Sequence, residues 1–212
     1  MAGEPQNVIF DLGGVLIDWN PRHLYRRMFD GDEAAMERFL SEICTPDWNL
    51  GFDAGRPWTE GIAELVARHP HEKERIEAYR SRWLEMIGGP IAGTVRLLEE
   101  LDARDVPLYA LTNWSVETFA LVRPDPTYAF LDRFRTIFVS GELGLIKPDP
   151  AIYRHALGAI GAPPDRCLFI DDSAKNVAAA AELGLLVHHF TSPERLRADL
   201  ERYGLLPEPG QG

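Results

Sequence analysis

Five short runs of apolar residues constrain the fold of this chain more than any other feature. They cover residues 7–11, 106–113, 136–140, 167–171 and 185–190. Several are almost continuously apolar, a pattern typical of parallel strands that are covered on both faces. Helical patterns separate the later runs, and strands that alternate with helices form right-handed βαβ units. The sequence therefore predicts an α/β fold built on a doubly wound parallel sheet of five or more strands.

Helix start and stop signals separate the last three runs. Asp149 suits an N-cap and the proline after it suits the first helical position, which predicts a helix over 150–160. Another helix is predicted over 174–184, where a glycine ends it, and a last one begins after Ser192. These helices supply the crossovers that a parallel sheet requires.

The segment 18–89 breaks the alternation of strands and helices. It contains no convincing strand, and its apolar and aromatic residues recur at helical spacing. We interpret it as a helical-bundle cap inserted after the first strand, where it can act as a lid. The predicted organisation is a core of 1–17 and 90–206, a cap of 18–89, and a frayed tail of 207–212.

Composition and charge narrow the classes of partner. The net charge of −11 argues against binding to nucleic acid or to an anionic membrane. No apolar run approaches membrane-spanning length, and the N-terminus lacks the basic and apolar regions of a signal peptide. Cys44 and Cys167 share no disulfide or zinc motif, which favours a reducing compartment. We expect a cytoplasmic monomer or homodimer with no nucleic-acid or membrane partner.

Polar residues end or follow four of the five apolar runs. In an open α/β sheet, ligands bind outside the carboxyl ends of the strands. Any one of these residues is explained equally well as a turn former. Their combination at one edge instead predicts a functional site made of Asp11, Thr112, Asn113, Lys147, Asp171 and Asp172.

Phosphoryl transfer is the chemistry that these groups can perform together. A carboxylate attacks phosphorus and forms an acyl phosphate, which water then hydrolyses. The nucleophile and the phosphoryl oxygens are both negative, so the reaction needs positive charge from Lys147 and from a divalent cation. Mg²⁺ suits an all-oxygen site. The Thr112 hydroxyl and backbone N–H groups around Asn113 would bind the phosphoryl oxygens, and Gly13 and Gly14 allow the backbone to approach them.

Four segments, in order along the chain, carry a family resemblance. Residues 10–16 (Phe-Asp-Leu-Gly-Gly-Val-Leu) resemble the first motif of the haloacid dehalogenase superfamily, and 111–113 (Leu-Thr-Asn) resemble the second. Residues 144–153 are similar to the third motif, and 169–176 to the fourth, with its Asp-Asp pair. The resemblance implies a Rossmann-like core with the four-helix cap of subfamily I, and a phosphatase-like activity on a small-molecule phosphate ester.

The resemblance also implies a role for each motif residue. Asp11 would be the nucleophile and a magnesium ligand, Thr112 would bind phosphate, and Lys147 would orient both. Asp172 would be the direct metal ligand and Asp171 would act through water. The Gly13 backbone carbonyl would complete the metal ligands, and Asn176 would steady the fourth loop. Apart from the resemblance, we expect Gly14, Asn113 and Trp114 to contribute to binding of the substrate or its phosphate.

One position departs from the family pattern. Phosphatases that resemble this chain usually carry a second aspartate two residues after the nucleophile, as general acid and base, and here that residue is Gly13. General acid catalysis is typically worth about a hundred- to ten-thousand-fold. The replacement could be a metal-bound water, Asp18 or His23, or a substrate with a good leaving group such as glucose 1-phosphate.

The same gap leaves two rival functions open. A 2-haloacid dehalogenase needs no leaving-group proton and no metal, but its fourth motif typically lacks the carboxylate pair Asp171-Asp172. Adjacent carboxylates beside a carboxylate nucleophile are costly unless a cation neutralises them, which favours the phosphatase. A catalytically weak binding protein is supported only by Gly13.

Several other side chains have two explanations each. Trp114 follows the second motif and either lines the substrate pocket or packs under the cap. Trp19, Asn20, His23 and Trp48 lie in or near the cap, where any of them could face the phosphate site. For each of these four residues alone, packing or solvation explains the position more simply.

Overall fold

The computed structural model describes residues 4–207, and most of its strands form one parallel sheet. The seven strands are β1 (Asn7–Phe10), β2 (Ile17–Trp19), β3 (Ile87–Pro90), β4 (Leu108–Thr112), β5 (Thr136–Val139), β6 (Cys167–Asp171) and β7 (Leu186–His189). Five of them pair in parallel in the order β5-β4-β1-β6-β7. The predicted α/β class and all five predicted strands are confirmed.

Helices connect these strands and cover the sheet. They are α1 (Arg22–Met28), α2 (Glu33–Glu42), α3 (Pro46–Asp53), α4 (Trp58–Arg68), α5 (Lys73–Ser81), α6 (Ala92–Asp102), α7 (Val116–Val122), α8 (Ser140–Leu143), α9 (Pro150–Ile160), α10 (Ala174–Glu182) and α11 (Pro193–Arg202). The predicted N-caps are confirmed, since Asp149 and Ser192 accept hydrogen bonds from Ala151 N and Arg195 N.

The sheet is buried on both faces, as its apolar runs predict. All residues of β1, β4 and β6 are buried. Alternate residues of β1 enter different apolar clusters, with Val8 and Phe10 on one face and Ile9 on the other. The chain passes from β1 to β4 on one side and from β6 to β7 on the other. The strand order therefore reverses between β1 and β6, where a doubly wound sheet binds its ligand.

A short antiparallel ribbon was missed by the sequence analysis. β2 and β3 pair with each other, Ile17 with Pro90 and Asp18 with Gly89. The prediction that 18–89 contains no strand is therefore wrong at both ends of the segment. β3 has the sequence Ile-Gly-Gly-Pro, which has little intrinsic strand preference, and its partner lies some 70 residues away.

The helical insert, which we define as α1–α5, lies between β2 and β3 and has an aromatic core. The rings of Phe52 and Trp58 stack with centroids 3.7 Å apart, and Trp48 and Tyr79 pack against Trp58. The apolar spacing predicts this helical packing. Helix α5 ends at Ser81, and a 3-10 turn follows it from Trp83. Division into a core and a cap stays a prediction, and the predicted tail lies outside the described residues except for Pro207.

Within residues 4–207, no helix combines the length and the apolar character needed to cross a membrane.

Two helical glycines provide a matched test of packing in the insert. A Cβ added at Gly61 on α4 would overlap the Phe52 ring, which is buried and held by its stack on Trp58. A Cβ at Gly158 on α9 meets nothing within 4 Å. We expect Gly61→Ala to lower the free energy of unfolding by about 1–3 kcal/mol, and Gly158→Ala to raise it by roughly 0.5–1 kcal/mol. Urea denaturation of both variants measures the difference, and equal stability would contradict the packing described.

Candidate active site

A buried lysine joins two carboxylates at the carboxyl edge of the sheet. Lys147 Nζ lies 2.9 Å from Asp11 Oδ2 and 2.7 Å from Asp171 Oδ2. The side chains of Lys147 and Asp171 are fully buried, and that of Asp11 is 11% exposed. Asp11 directly follows β1, Asp171 ends β6, and Lys147 lies in the loop before α9. Three predicted site residues therefore meet at the point where the strand order reverses.

Negative charge exceeds positive charge at this point. Asp11, Asp171 and Asp172 each place an oxygen within 4.8 Å of the others. The pKa of Asp11 is raised to about 8, mainly by burial. Lys147 acts to lower this pKa, whereas the charges of Asp171 and Asp172 act to raise it. Burial and the neighbouring Asp171 likewise raise the pKa of Asp172. Burial by itself lowers the pKa of the Lys147 ammonium. The charges and hydrogen bonds of Asp11 and Asp171 have the larger effect, so the net pKa is raised. One ammonium does not neutralise three carboxylates.

The donor set and the excess charge both fit a divalent cation. All three side chains offer oxygen, the ligand type of hard cations such as Mg²⁺ and Ca²⁺. A cation among them would relieve the repulsion that raises the pKa values of Asp11 and Asp172. The cluster can therefore hold a metal ion.

The loop after β1 brings Asp172 close to the backbone. Gly14 has a φ of +73°, and a Cβ there would overlap the Asp172 carboxylate. The loop folds on itself, since Gly14 N donates to Ile17 O at 2.9 Å and Leu12 N donates to Asp11 Oδ1 at 2.7 Å. Position 14 thus requires glycine both for its left-handed backbone and for the approach of Asp172.

The Asn113 side chain clamps the lysine loop. Its Nδ2 donates to Lys147 O at 2.9 Å, and its Oδ1 accepts from Lys147 N at 2.8 Å. The side-chain amide therefore fixes the backbone of the lysine, a role that the sequence analysis did not assign. Thr112, the residue before it, ends β4 and is 1% exposed. The predicted phosphate contacts of the Thr112 hydroxyl and the Asn113 backbone stay predictions.

Asp171 is held from the opposite side by the loop after β6. Asn176 Nδ2 lies 3.1 Å from both carboxylate oxygens of Asp171, and Ser173 N donates to Oδ1 at 2.8 Å. The Tyr153 hydroxyl donates to Asn176 O at 3.0 Å. Asn176 lies in the first turn of α10, and its contacts connect this helix to Asp171. Also at this loop, the ring Nε2 of His189 lies 3.0 Å from the Asp172 carbonyl oxygen.

A small cavity of about 60 Å³ lies between this edge of the sheet and the helical insert. Its volume is far below the roughly 300–1,000 Å³ typical of small-molecule pockets. Gly13, Asn113, Trp114 and Thr118 line it from the sheet side. Asn49 and Asp53 of the insert line the other side, together with Trp19 and Trp83 from the segments that flank the insert.

Trp114 both lines the cavity and packs against a residue just after the insert, and a contact to substrate stays a prediction. It lines the cavity, and its ring packs against Trp83 with centroids 5.5 Å apart. Its indole N–H donates to Thr118 Oγ1 at 3.1 Å. Trp19 also lines the cavity, and its indole N–H is buried without a partner among the described residues.

Asp53, the last residue of α3, was missed by the sequence analysis. Asn49 Nδ2 donates to its Oδ2 at 3.1 Å. Burial raises the pKa of Asp53 to about 7, against the lowering effects of the Ser115 backbone N–H and of Lys147. A lone aspartate on a short helix far from the motifs gives no signal in a single sequence.

The remaining side chains that the sequence analysis considered make contacts away from this cavity. His23 Nε2 is 3.0 Å from Asp18 Oδ2, so these two side chains pair with each other. Neither is among the described residues that line the cavity. Trp48 packs in the aromatic core of the insert, and Asn20 accepts a hydrogen bond from Arg22 N.

Hydrogen bonds between buried groups connect the insert to the loops at the sheet edge. Ser140 Oγ donates to Asp53 O at 2.6 Å and accepts from Trp114 N at 2.9 Å. The Trp58 indole N–H donates to Ser115 Oγ at 2.9 Å. Ser115, Ser140 and Trp58 were also missed, because each acts through a partner that is distant along the chain.

Comparison with known proteins identifies the family. A family model described as haloacid dehalogenase-like hydrolase matches residues 5–184. The chain belongs to the haloacid dehalogenase-like hydrolase family. The resemblance of its four motifs and the Rossmann-like fold is thereby confirmed.

Several known proteins are similar to this chain over most of its length. A sesquiterpene phosphatase of Aspergillus oryzae is 30% identical over 191 residues, which cover 86% of this chain and 88% of that protein. The solved structure of a HAD-like family hydrolase from Porphyromonas gingivalis has a TM-score of 0.72 and 26% identity, covering 97% of this chain and 99% of that one. A HAD family enzyme of Bacteroides thetaiotaomicron, solved with magnesium and inorganic phosphate, has a TM-score of 0.67 and 24% identity, covering 89% and 95%.

Removal of the buried ammonium tests the charge arrangement of this family site. In Lys147→Met, two carboxylates lose their buried partner, and breaking a buried ion pair typically costs about 3–5 kcal/mol. We expect a loss of this order in urea denaturation at neutral pH. The control is Lys175→Met on the exposed start of α10, which should change stability little. Equal stability of the two variants would show that Lys147 does not pair with these carboxylates in solution.

Proposed function

We propose that this chain is a Mg²⁺-dependent phosphatase that hydrolyses a small phosphate monoester through an aspartyl phosphate on Asp11. The observation that carries the proposal is the cluster of Asp11, Asp171 and Asp172, whose negative charge Lys147 offsets only in part. A carboxylate nucleophile beside two further carboxylates is suited to attack a phosphate ester only where cationic charge balances them.

The proposal gives a task to each residue. Asp11 Oδ forms a bond to phosphorus, and Lys147 holds the other carboxylate oxygen and offsets charge on the transferred group. Asn113 fixes the lysine loop through its two hydrogen bonds. The Thr112 hydroxyl would bind a phosphoryl oxygen. Asp11, Asp172 and the Gly13 carbonyl would hold Mg²⁺, with Asp171 acting through water. When bound, Mg²⁺ neutralises charge and polarises the phosphoryl oxygens.

The cavity supports a substrate with a small leaving group. Only about 60 Å³ lies between the site and the helical insert, so a larger ester requires the insert to move aside. Its walls combine three indole rings with the polar side chains of Asp53 and Asn49. Aromatic faces beside hydrogen-bonding groups suit a polyol or sugar, so sugar phosphates are the first substrates to test. A phosphatase of sesquiterpenes among the relatives makes prenyl phosphates the second class.

One observation favours a different reaction. Gly13 lines the cavity and offers no side chain that could protonate a leaving alcohol, which would suit displacement of halide by a 2-haloacid dehalogenase. That reaction needs no cation, so the Asp171-Asp172 pair would remain uncompensated beside the nucleophile. A binding protein without turnover is a third possibility. We favour the phosphatase because it alone uses the whole cluster.

A panel of substrates separates the three functions. With Mg²⁺ we expect phosphate release from sugar phosphates or other small monoesters, and no chloride from 2-chloropropionate without Mg²⁺. The nucleophile variant Asp11→Asn should lose at least about a thousand-fold in kcat while its circular dichroism stays unchanged. Chloride release without phosphate release would establish the dehalogenase. Full activity of Asp11→Asn would refute Asp11 as the nucleophile.

Two aspartates at opposite ends of β6 test the metal site. Asp172 belongs to the acidic cluster, whereas Asp165 is exposed before the strand. We expect EDTA to abolish phosphate release and Mg²⁺ to restore it. Asp172→Asn should raise the Mg²⁺ concentration for half-maximal activity at least about tenfold, and Asp165→Asn should leave it unchanged. Calorimetric titration with Mg²⁺ provides a second measurement, and identical titrations of both variants would contradict the assignment.

A further inference from the structure

The cavity beside Gly13 has room where a catalytic side chain is missing. A Cβ added at Gly13 would meet nothing within 4 Å, and the residue lines the cavity. The side chain of Asp53 reaches the same cavity from the helical insert. Among the described residues that line the cavity, Asp53 supplies the carboxylate, since the others are glycine, asparagines, tryptophans and a threonine.

We infer that Asp53 is the general acid and base of the reaction: it protonates the leaving-group oxygen and then takes a proton from the attacking water. This inference rests on the proposed phosphatase function. It places the proton-transfer group on the insert instead of two residues after the nucleophile.

The position of Asp53 is fixed by groups on both sides of the cavity. Asn49, one helical turn earlier on α3, donates to Oδ2 at 3.1 Å. Ser140 donates to the Asp53 backbone carbonyl at 2.6 Å, which attaches the end of α3 to the end of β5. The Ser115 backbone N–H lies close enough to the Asp53 carboxyl to lower its pKa. These contacts hold the end of α3, and with it Asp53, at the wall of the cavity.

The surroundings suit a group that both donates and accepts a proton near neutral pH. Burial raises the pKa of Asp53 to about 7, and Lys147 is the charged group that draws it down. Tyr79 of α5 also faces Asp53. Its hydroxyl stays neutral because burial, and to a smaller extent Cys44 and Asp53, raise its pKa well above 10. Glu142 on α8 is exposed. A pKa near the working pH makes a general acid and base most effective.

The two proton transfers balance over the cycle. In the first step, Asp11 Oδ bonds to phosphorus, the bond from phosphorus to the ester oxygen breaks, and that oxygen takes the proton of the Asp53 carboxyl. The products are an alcohol, an acyl phosphate on Asp11 and an Asp53 carboxylate. In the second step, a water oxygen bonds to phosphorus while Asp53 takes a proton from that water. The bond from phosphorus to Asp11 breaks, which releases inorganic phosphate and returns both aspartates to their starting states.

Leaving-group dependence tests this role. An alkyl phosphate needs a proton on its leaving oxygen, whereas 2,4-dinitrophenyl phosphate does not. We expect Asp53→Asn to lower kcat for an alkyl phosphate by about a hundred- to ten-thousand-fold. With 2,4-dinitrophenyl phosphate the same variant should release one equivalent of dinitrophenol at nearly the wild-type rate and then turn over slowly, because Asp11 is still phosphorylated but its hydrolysis lacks a base.

A rescue variant and a control complete the experiment. Gly13→Asp in the Asp53→Asn background should recover part of the alkyl phosphate activity, since the space at position 13 is open. Asp47→Asn, at an exposed position of the same helix α3, should match the wild type. A merely structural role for Asp53 would slow the dinitrophenol burst as much as the alkyl reaction and would resist rescue, and either result overturns the inference.

The outcomes separate this inference from the function on which it rests. If the wild type releases phosphate and Asp53→Asn keeps its full rate on alkyl phosphates, only the role of Asp53 is wrong. If the wild type releases no phosphate from any ester, the proposed function fails and this inference fails with it.

Discussion

The buried ammonium of Lys147 is the interaction on which the rest of the site depends. An unpaired charge in this position would cost several kcal/mol, so the lysine is stable there only between Asp11 and Asp171. Strand pairing places the ends of β1 and β6 side by side, and the lysine connects both of them to the loop before α9. Asn113 and Asn176 then hold the lysine backbone and the Asp171 carboxylate in place. The site is thus organised around charge balance, which a bound cation would complete.

The two sides of the cavity contribute different chemistry. The sheet edge supplies the charged groups. The helical insert supplies Asn49 and the carboxyl group of Asp53, whose pKa burial raises, and the segments that flank the insert supply the indole rings of Trp19 and Trp83. In the proposed reaction, such a division would separate the groups that act on phosphorus from those that contact the leaving group. Substitutions on the insert side would then change substrate preference while leaving the groups at the sheet edge intact.

The features that the sequence predicts are local or depend on a general rule of sheet topology. Apolar runs and the cap at Asp149 are local signals, and the meeting of Asp11, Lys147 and Asp171 follows from the rule that parallel strands end at one edge. The features that it misses depend on tertiary packing. Asp53 and Ser140 meet across the cavity from positions 87 residues apart. The glycine-rich strand β3 is ordered by its partner more than by its own preference.

The β2–β3 ribbon connects the insert to the loop that follows Asp11. Both passages of the chain between sheet and insert are hydrogen-bonded to each other, so neither can shift alone. The ribbon continues into the loop after β1: Ile91 N donates to Leu16 O at 2.8 Å, and Leu16 N donates to Leu12 O at 2.9 Å. Leu12 directly follows Asp11. Any movement of α1–α5 would therefore act on this loop, and in the proposed reaction occupancy of the cavity would be coupled to the orientation of the Asp11 carboxylate.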